Sequence, residues 1–446
     1  MLLVTLSSEI HIKSSRTRRR FIRILLENLR ERLRREAPGA HVDATWDRIH
    51  ITGSDLERAA QASLDVFGVQ RVDRVRRLSF RDLDDLAQQA EAAARERVAG
   101  KTFAVRVRRR GNHSWSSLDA ERLIGSRLLP YAEGVNLDQP GVTVRIQVQQ
   151  DEGYLVEDTQ PGPDGLPLGV QGRALTLLSG GFDSAVAAWL IMRRGVPVDF
   201  LHFTLDCAQS EHATAVAFEL IQRWGHGKPA YLHLVDFQPV KDALMQDCDP
   251  RLRQVVLKQF MVAAADRVAR SFGHLALVTG EAVGQVSSQT LEHLAAIDSF
   301  GTETILRPLS GMTKQDIIAL SRRVGTHNLS TRAREVCDLS EGPVAVAATR
   351  RQLAQAHRRL DPDLVAAALN GWRMIDIRRW QPGGSMIPVV HNAPPGIPLI
   401  HAGRDAPPAE GPLVVTGRRA TEAAAELHAD GREVYLQVET PASSPR

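Results

Sequence analysis

The hydrophobic pattern of this chain changes character twice. Residues 1–6 and 9–12 alternate as strands do. From 16 to 35, Phe21, Ile22, Leu25, Leu29 and Leu33 recur at helical spacing, and Arg18, Arg19, Arg23, Arg30 and Arg34 fill the opposite face. Pro38-Gly39 ends that helix. Strands around 41–52 and a helix over 55–67 complete an α+β unit of ferredoxin-like type. A second α+β unit follows: strand 69–79, helix 82–98, strand 102–109, helix 117–129 and a strictly alternating strand 142–150.

Residues 158–169, rich in Pro, Gly and Asp, read as a linker. Beyond it, short apolar runs alternate with amphipathic segments. Strand 174–178 precedes helix 184–194, 198–205 precedes 210–224, and 230–236 precedes 251–272. Strand 275–279 then precedes 287–296, and 303–306 precedes 314–323. Repeated βα units predict a parallel sheet covered on both faces, with ligands beyond the carboxyl ends of its strands. Residues 340–370 read as helical, 374–378 and 412–416 as strands, 420–429 as helix and 433–438 as a last strand, with Pro/Gly-rich loop between.

At 446 residues the chain has room for two to four domains, and 43% hydrophobic with 24% charged residues is ordinary for a soluble protein. No apolar run reaches the roughly 20 residues that cross a bilayer. The N-terminus turns basic after its apolar start, the reverse of a secretory signal, so the expectation is a cytoplasmic protein without membrane contact. Three scattered cysteines, Cys207, Cys248 and Cys337, supply neither a disulfide framework nor a cysteine metal site. No residue set with metal-ligand spacing is present.

Charge is unevenly placed. Residues 1–110 hold 24 basic and 15 acidic side chains, a balance of +9 against +4 for the whole chain, so the remainder carries −5. A basic front half suits a polyanion partner, and it equally suits a solvated surface. The strand carrying Arg106, Arg108, Arg109 and Arg110 runs into a loop with His113 and Trp115. Such a constellation holds phosphates and stacks a base, or it blunts an edge strand.

The most specific chemistry lies in Ser179-Gly180-Gly181-Phe182-Asp183-Ser184, between an apolar strand and a helix. Paired glycines let backbone amides approach an anion, and the helix N-terminus adds free N–H groups. A plain turn has the same composition. The Gly-Lys-Ser/Thr of the Walker loop is missing. Asp183 stands where that loop has its cation, which points to a magnesium-bridged nucleotide.

This hexapeptide resembles the PP-loop of the ATP pyrophosphatases. The wider match, through residues 256–258, 277–291 and 306–314 and, in the front half, 9–14, 100–103 and 106–119, resembles the tRNA 4-thiouridine synthetases, a family of tRNA sulfurtransferases. It runs in order from residue 1 to about 345. The resemblance implies a multidomain α+β and α/β fold. Its parts are a ferredoxin-like domain (1–68), a THUMP RNA-binding domain (69–160), a parallel-sheet PP-loop domain of the adenine nucleotide α-hydrolase-like type (173–370) and a degenerate rhodanese-like remnant (371–446). In the remnant, residues 375–378 would match the early strand, and 412–420 the active-site strand and loop.

It further implies that the front domains bind tRNA, through Lys13, Arg106, Arg108, Arg109, Arg110, His113 and Trp115. Leu177, Leu178, His202, Phe203, Lys258, Gly280 and Gln289 would contact ATP, while Ser179, Gly180, Gly181 and Ser184 would hold its phosphates. Asp183 would orient Mg2+ or the phosphates. The implied reaction adenylates O4 of uridine 8, and sulfur from a cysteine persulfide then replaces it to give 4-thiouridine. Cys337 falls where the family keeps its catalytic cysteine; by residue type alone it reads equally as a buried, inert thiol.

The family's rhodanese cysteine is replaced by Thr416, and no cysteine follows Cys337. A two-cysteine relay therefore cannot run within this chain. Sulfur would come to Cys337, or else to Cys207, from a cysteine desulfurase or another persulfide donor. The family's second role, supplying sulfur for thiazole in thiamine synthesis, leans on that missing cysteine in some members. A homodimer is among the assemblies left open. Two other functions share the loop: an amide-forming PP-loop ligase, and a tRNA-binding protein with impaired sulfur transfer.

Overall fold

β1 (Leu2–Leu6), β2 (Ala40–Ala44), β3 (Ile49–Gly53) and β4 (Val69–Ser79) pair antiparallel and pack against helices Ser15–Glu36 and Leu56–Ser63, with β1 buried at four of its five residues and β3 alternating. The computed structural model describes residues 1–44, 48–205, 207–331, 339, 345, 347–381, 383–390, 392–417 and 419–438. The chain divides into two units, Met1–Leu166 and Pro167–Arg446.

The first unit holds a single eight-stranded sheet in the order β2-β3-β1-β4-β8-β7-β5-β6. The added strands are β5 (Thr102–Arg110), β6 (Gly134–Val135), β7 (Val142–Gln149) and β8 (Glu152–Pro161). The β2-β3-β1-β4 order, with its two helices, is the ferredoxin-like arrangement anticipated from the sequence. β4 pairs with β1 on one side and β8 on the other, so a division at 68/69 falls at the start of a strand that both halves share.

Two expectations fail in this unit. Residues 8–11 form a helix turn rather than a strand, because Ser7 caps it by accepting from the Glu9 amide. The presumed linker at 158–169 begins inside β8, whose residues up to Pro161 pair with β4.

The second unit carries a ten-stranded sheet, β13-β12-β9-β10-β11-β14-β15-β18-β17-β16. Its nucleotide-side strands are β9 (Ala174–Leu177), β10 (Val198–Thr204), β11 (Tyr231–Asp236), β12 (Ala276–Val278) and β13 (Thr304–Leu306), all parallel. Almost every residue of these runs but β13 is buried, as continuous apolar strands between two helical layers require. The chain adds β10 and β11 on one side of β9 and then crosses to add β12 on the other. The topological switch point therefore lies between β9 and β12.

β14 (Arg373–Asp376) contains part of the segment expected to open the rhodanese-like remnant. It instead runs antiparallel along β11, inside the nucleotide-domain sheet. Beyond it, β15 (Ile387–Val390), β16 (Leu399–His401), β17 (Leu413–Thr416) and β18 (Val434–Gln437) form a parallel group, in which β15 and β16 occupy what read as loop. Thr416 ends β17, and helix Ala420–Ala429 follows, as the sequence indicated.

A polar cluster is sealed within the second unit. Asp199 accepts from Arg173 (2.5 and 3.3 Å), from the Tyr231 amide (2.9 Å) and from His274 (2.8 Å). Nearby His233 Nδ1 accepts from the Trp372 indole at 3.2 Å. Burial pushes His233 down to about 3. It also lowers His202. Burial alone would raise Asp199, but Arg173 and His274 outweigh it and hold the carboxyl far below its ordinary range.

A depressed histidine pKa leaves the unfolded chain binding more protons below about pH 6.5, so stability falls as pH drops toward the folded value. Asp199 adds loss only below about pH 4. Thermal stability should therefore fall continuously from pH 6.5 downward, by about 1.4 kcal/mol per pH unit for His233, with His202 adding loss in the same direction. A melting temperature flat between pH 6.5 and 4.5 would contradict this assignment.

Candidate nucleotide site and basic surface

The loop after β9 is shaped for close approach. Gly180 has φ +85°, and a Cβ there would meet His212 Cδ2 at 2.8 Å. Gly181 caps helix Phe182–Met192 with extended backbone and no side-chain cap bond, so the helix opens on uncapped amides. Ser184 is buried. Its hydroxyl donates to the Gly181 carbonyl (3.3 Å), accepts from the Ser179 amide (3.2 Å) and lies 3.3 Å from the Ser179 hydroxyl. It braces the loop from within.

Gly280, just past β12, makes a closer approach than Gly180. A Cβ would lie 2.6 Å from both Asp183 C and Ser184 N. Only glycine lets the end of β12 abut the phosphate loop across the switch point. The residues after it fold back: the Gln289 side chain accepts from the Ala282 amide (3.4 Å), its carbonyl accepts from the Gly284 amide (2.8 Å), and Gln285 donates to Asp183 (2.8 Å).

His202, in β10, donates from Nδ1 to the Leu178 carbonyl at 2.8 Å. A carbonyl only accepts, so Nε2 is left as a lone-pair acceptor. That atom is buried with no partner, as is His212 Nε2. Phe203 packs against Phe237 at 4.3 Å between ring centroids; Leu177 packs on the same apolar cluster, and Leu178 is buried. Lys258, from helix Arg253–Phe272, reaches Glu281 at 2.9 Å. A buried unpaired acceptor, an uncapped helix end and Lys258 beside the residue that follows Gly280 fit a ligand with an amine-bearing base and several phosphates.

Sequence reasoning passed over Glu281, Gln285, Arg307 and Lys314 as individual site residues. Lys314 Nζ bonds both Asp183 oxygens, at 2.8 and 2.9 Å. Asp183 is therefore already matched by a cation and an amide donor. Among the described residues, no cluster of three acidic, histidine or cysteine side chains could hold a metal. All four lie in the segments 277–291 and 306–314, but their charged and amide partners are 9 to 131 positions away.

Of the cysteines, Cys248 is buried, and burial pushes its thiol up to about 11. It offers no thiolate at neutral pH. Cys337 and the side chain of Cys207 lie outside the described residues. The segment holding Cys337 is flanked by Thr331, which ends the turn after helix His327–Ser330, and by buried Leu339, whose amide donates to Gln254.

In the first unit, the basic residues sort by partner. On β4, Arg71, Arg74, Arg76 and Arg77 pair with Asp73, Glu57, Glu157 and Glu152. On β5, Arg106 bonds only carbonyls, of Val105 and Leu137, and Arg109 bonds the Gly111 carbonyl. Among the described residues no carboxylate pairs with Arg106, Arg108 or Arg109, so their charge stays available. His11, two residues before Lys13, has its pKa lowered by partial burial and then by Arg18 and Arg110. One positive field therefore spans the N-terminal turn and the end of β5.

His113 and Trp115 are each engaged with neighbours within the unit. His113 Nε2 donates to the Gln150 carbonyl at 2.8 Å, and its ring packs tilted against Trp115, 4.7 Å between centroids. Trp115 is half-buried against Phe80, with Arg109 5.9 Å from its ring. Both residues are partly exposed, and their contacts tie the 111–115 loop to Gln150 and Phe80.

Residues 1–72 match the ThiI ferredoxin-like domain, 80–158 the THUMP domain, and 169–360 the family described as Thiamine biosynthesis protein (ThiI). A tRNA sulfurtransferase from Desulfurococcus amylolyticus is 40% identical over 378 residues, covering 84% of this chain and 78% of that one. One from Shewanella loihica is 37% identical over 384 residues, covering 84% and 79%. The chain belongs to the ThiI family of tRNA sulfurtransferases. A solved 4-thiouridine synthetase, in complex with RNA and with bound ATP, shares the fold at a TM-score of 0.71 and 24% identity, covering 84% of this chain and 98% of its own. PH1313 from Pyrococcus horikoshii also shares it, at 0.56 and 21%, covering 73% and 99%. Family membership accords with the ferredoxin-like, THUMP and PP-loop order. No helix among the described residues is long and apolar enough to cross a membrane.

Proposed function

We propose that this chain is an ATP-dependent tRNA sulfurtransferase that converts uridine 8 to 4-thiouridine. The observation that carries this reading is the phosphate loop at the switch point, locked against Gly280, in a chain 40% identical to a tRNA sulfurtransferase. ATP supplies activation, since uridine O4 leaves poorly until adenylated. The amides at Gly181 and the helix start would hold the phosphates, with Lys258 and Lys314 beside them. His202 Nε2 would accept from the adenine amine.

Mg2+ would arrive with the phosphates, with Asp183 as its one protein carboxylate. Magnesium commonly takes one or two carboxylates plus phosphates, and here Lys314 would have to share that group. Arg106, Arg108 and Arg109, with Lys13 and Arg110, would contact tRNA phosphates. His113 and Trp115 would support that surface from below.

Cys337 would carry or resolve the persulfide sulfur, delivered by a cysteine desulfurase or a separate rhodanese because Thr416 cannot carry it. The C-terminal strands would be the rhodanese-like remnant, and thiazole supply is not part of the proposed role. Cytoplasmic location follows from the substrate.

Pyrophosphate release from ATP checks the enzymatic half. Unmodified tRNA should stimulate it at least tenfold, and fully thiolated tRNA should not. Release that ignores tRNA would mark another PP-loop enzyme, and no release would mark a binding protein.

A further inference from the structure

Four charged side chains and a hydroxyl form a closed network next to the phosphate loop. Glu281 is 9% exposed, and both its oxygens are used. Oε1 accepts from Lys258 Nζ at 2.9 Å; Oε2 accepts from Arg307 Nε at 2.9 Å and from the Thr279 hydroxyl at 3.2 Å. Arg307 is also held bidentately by Asp298, at 2.5 and 3.0 Å. The set carries two positive and two negative charges.

The network is asymmetric. Arg307 has two carboxylates, whereas Glu281 is the one carboxylate paired with Lys258 among the described residues. The Lys258 side chain keeps 19% of its surface open. Glu281 follows Gly280, whose backbone abuts the helix that bears the phosphate loop. Burial alone would raise the Glu281 pKa, but Lys258 and Arg307 outweigh it and hold the carboxyl ionised.

We propose that Glu281 is a positioning residue that competes with the polyphosphate for the Lys258 ammonium, steering it to the loop while keeping pyrophosphate weakly bound enough to leave. The proposal rests on the nucleotide reading of this site. An ionised carboxylate 2.9 Å from the ammonium cancels much of the positive potential that a departing pyrophosphate feels. Its second oxygen, anchored by Arg307 and Thr279, fixes where the ammonium points.

The sign of the effect separates this role from a merely structural one. Damage to a buried network loosens a ligand, whereas removing a competing anion tightens it. Glu281→Gln keeps an oxygen acceptor for Lys258 and removes the charge. Binding of inorganic pyrophosphate to the full chain, measured by calorimetry, should tighten about tenfold, with AMP affinity unchanged.

Should that variant not fold, Glu281→Asp withdraws the carboxylate by one methylene. It should tighten pyrophosphate by a smaller factor, about threefold. Pyrophosphate affinity unchanged or weaker in the folded variants would overturn the proposal. If the unaltered chain binds neither ATP nor pyrophosphate, the nucleotide reading itself is overturned, and this inference with it.

Discussion

Gly280→Ala should abolish ATP-dependent chemistry while leaving most of the fold in place. The added methyl would lie 2.6 Å from Asp183 C and Ser184 N and 2.9 Å from Ser184 Cα. These are backbone atoms in the first turn of helix Phe182–Met192, so no side chain can rotate away. Either β12 retreats or the phosphate loop does, and both sides of the switch point carry site residues. Overpacking of this kind costs about 1–3 kcal/mol. A displacement of about 1 Å at a reacting centre costs on the order of a hundredfold in rate. We expect at least a hundredfold loss of tRNA-stimulated pyrophosphate release and weaker ATP binding, with a melting temperature lowered by a few degrees. Gly371→Ala, where a Cβ meets nothing within 4 Å, serves as control and should change neither. Wild-type turnover by Gly280→Ala would mean that this contact does not hold the site.

Cys337→Ser should end sulfur transfer and spare adenylation. The chain has three thiols, and Cys248 is excluded by its burial and its raised pKa. Cys207 opens the helix Cys207–Trp224 after β10, close in sequence to the nucleotide edge. The prediction separates the remaining two. Cys337→Ser should lower 4-thiouridine formation at least a hundredfold and leave tRNA-stimulated pyrophosphate release within about threefold of normal, because a hydroxyl cannot hold sulfane sulfur. Cys207→Ser should retain thiolation. The reverse pattern would move the sulfur chemistry to Cys207.

Local chemistry made the nucleotide domain legible. The runs at 174–177, 198–204 and 231–236 are mostly apolar, buried on both faces and separated by helical segments, so a parallel sheet and its ligand edge could be read directly. β8 was hidden because only Gly153–Val156 is fully buried, while its Asp-Thr-Gln-Pro end looks like a linker. β15 and β16 are short and sit among prolines and glycines. β14 read correctly as a strand, but its partner, β11, lies some 140 positions away, and no local pattern encodes that.

The site divides in the same way. Glycines show their purpose in sequence, since a turn between strand and helix demands them. Pairings do not: Lys314 with Asp183, or Glu281 with Lys258 and Arg307, exist only once the strands align. Trp115 shows the limit from the other direction. An aromatic beside arginines reads the same whether its ring faces solvent or, as here, packs on Phe80.

Sulfur transfer to tRNA is read out by mass spectrometry of the nucleosides in tRNA. The full chain is incubated with unmodified tRNA, ATP, Mg2+, cysteine and a competent cysteine desulfurase. 4-Thiouridine is expected at position 8, dependent on both the chain and ATP. Unmodified uridine at that position, with the desulfurase shown to be active and the chain folded, would contradict it.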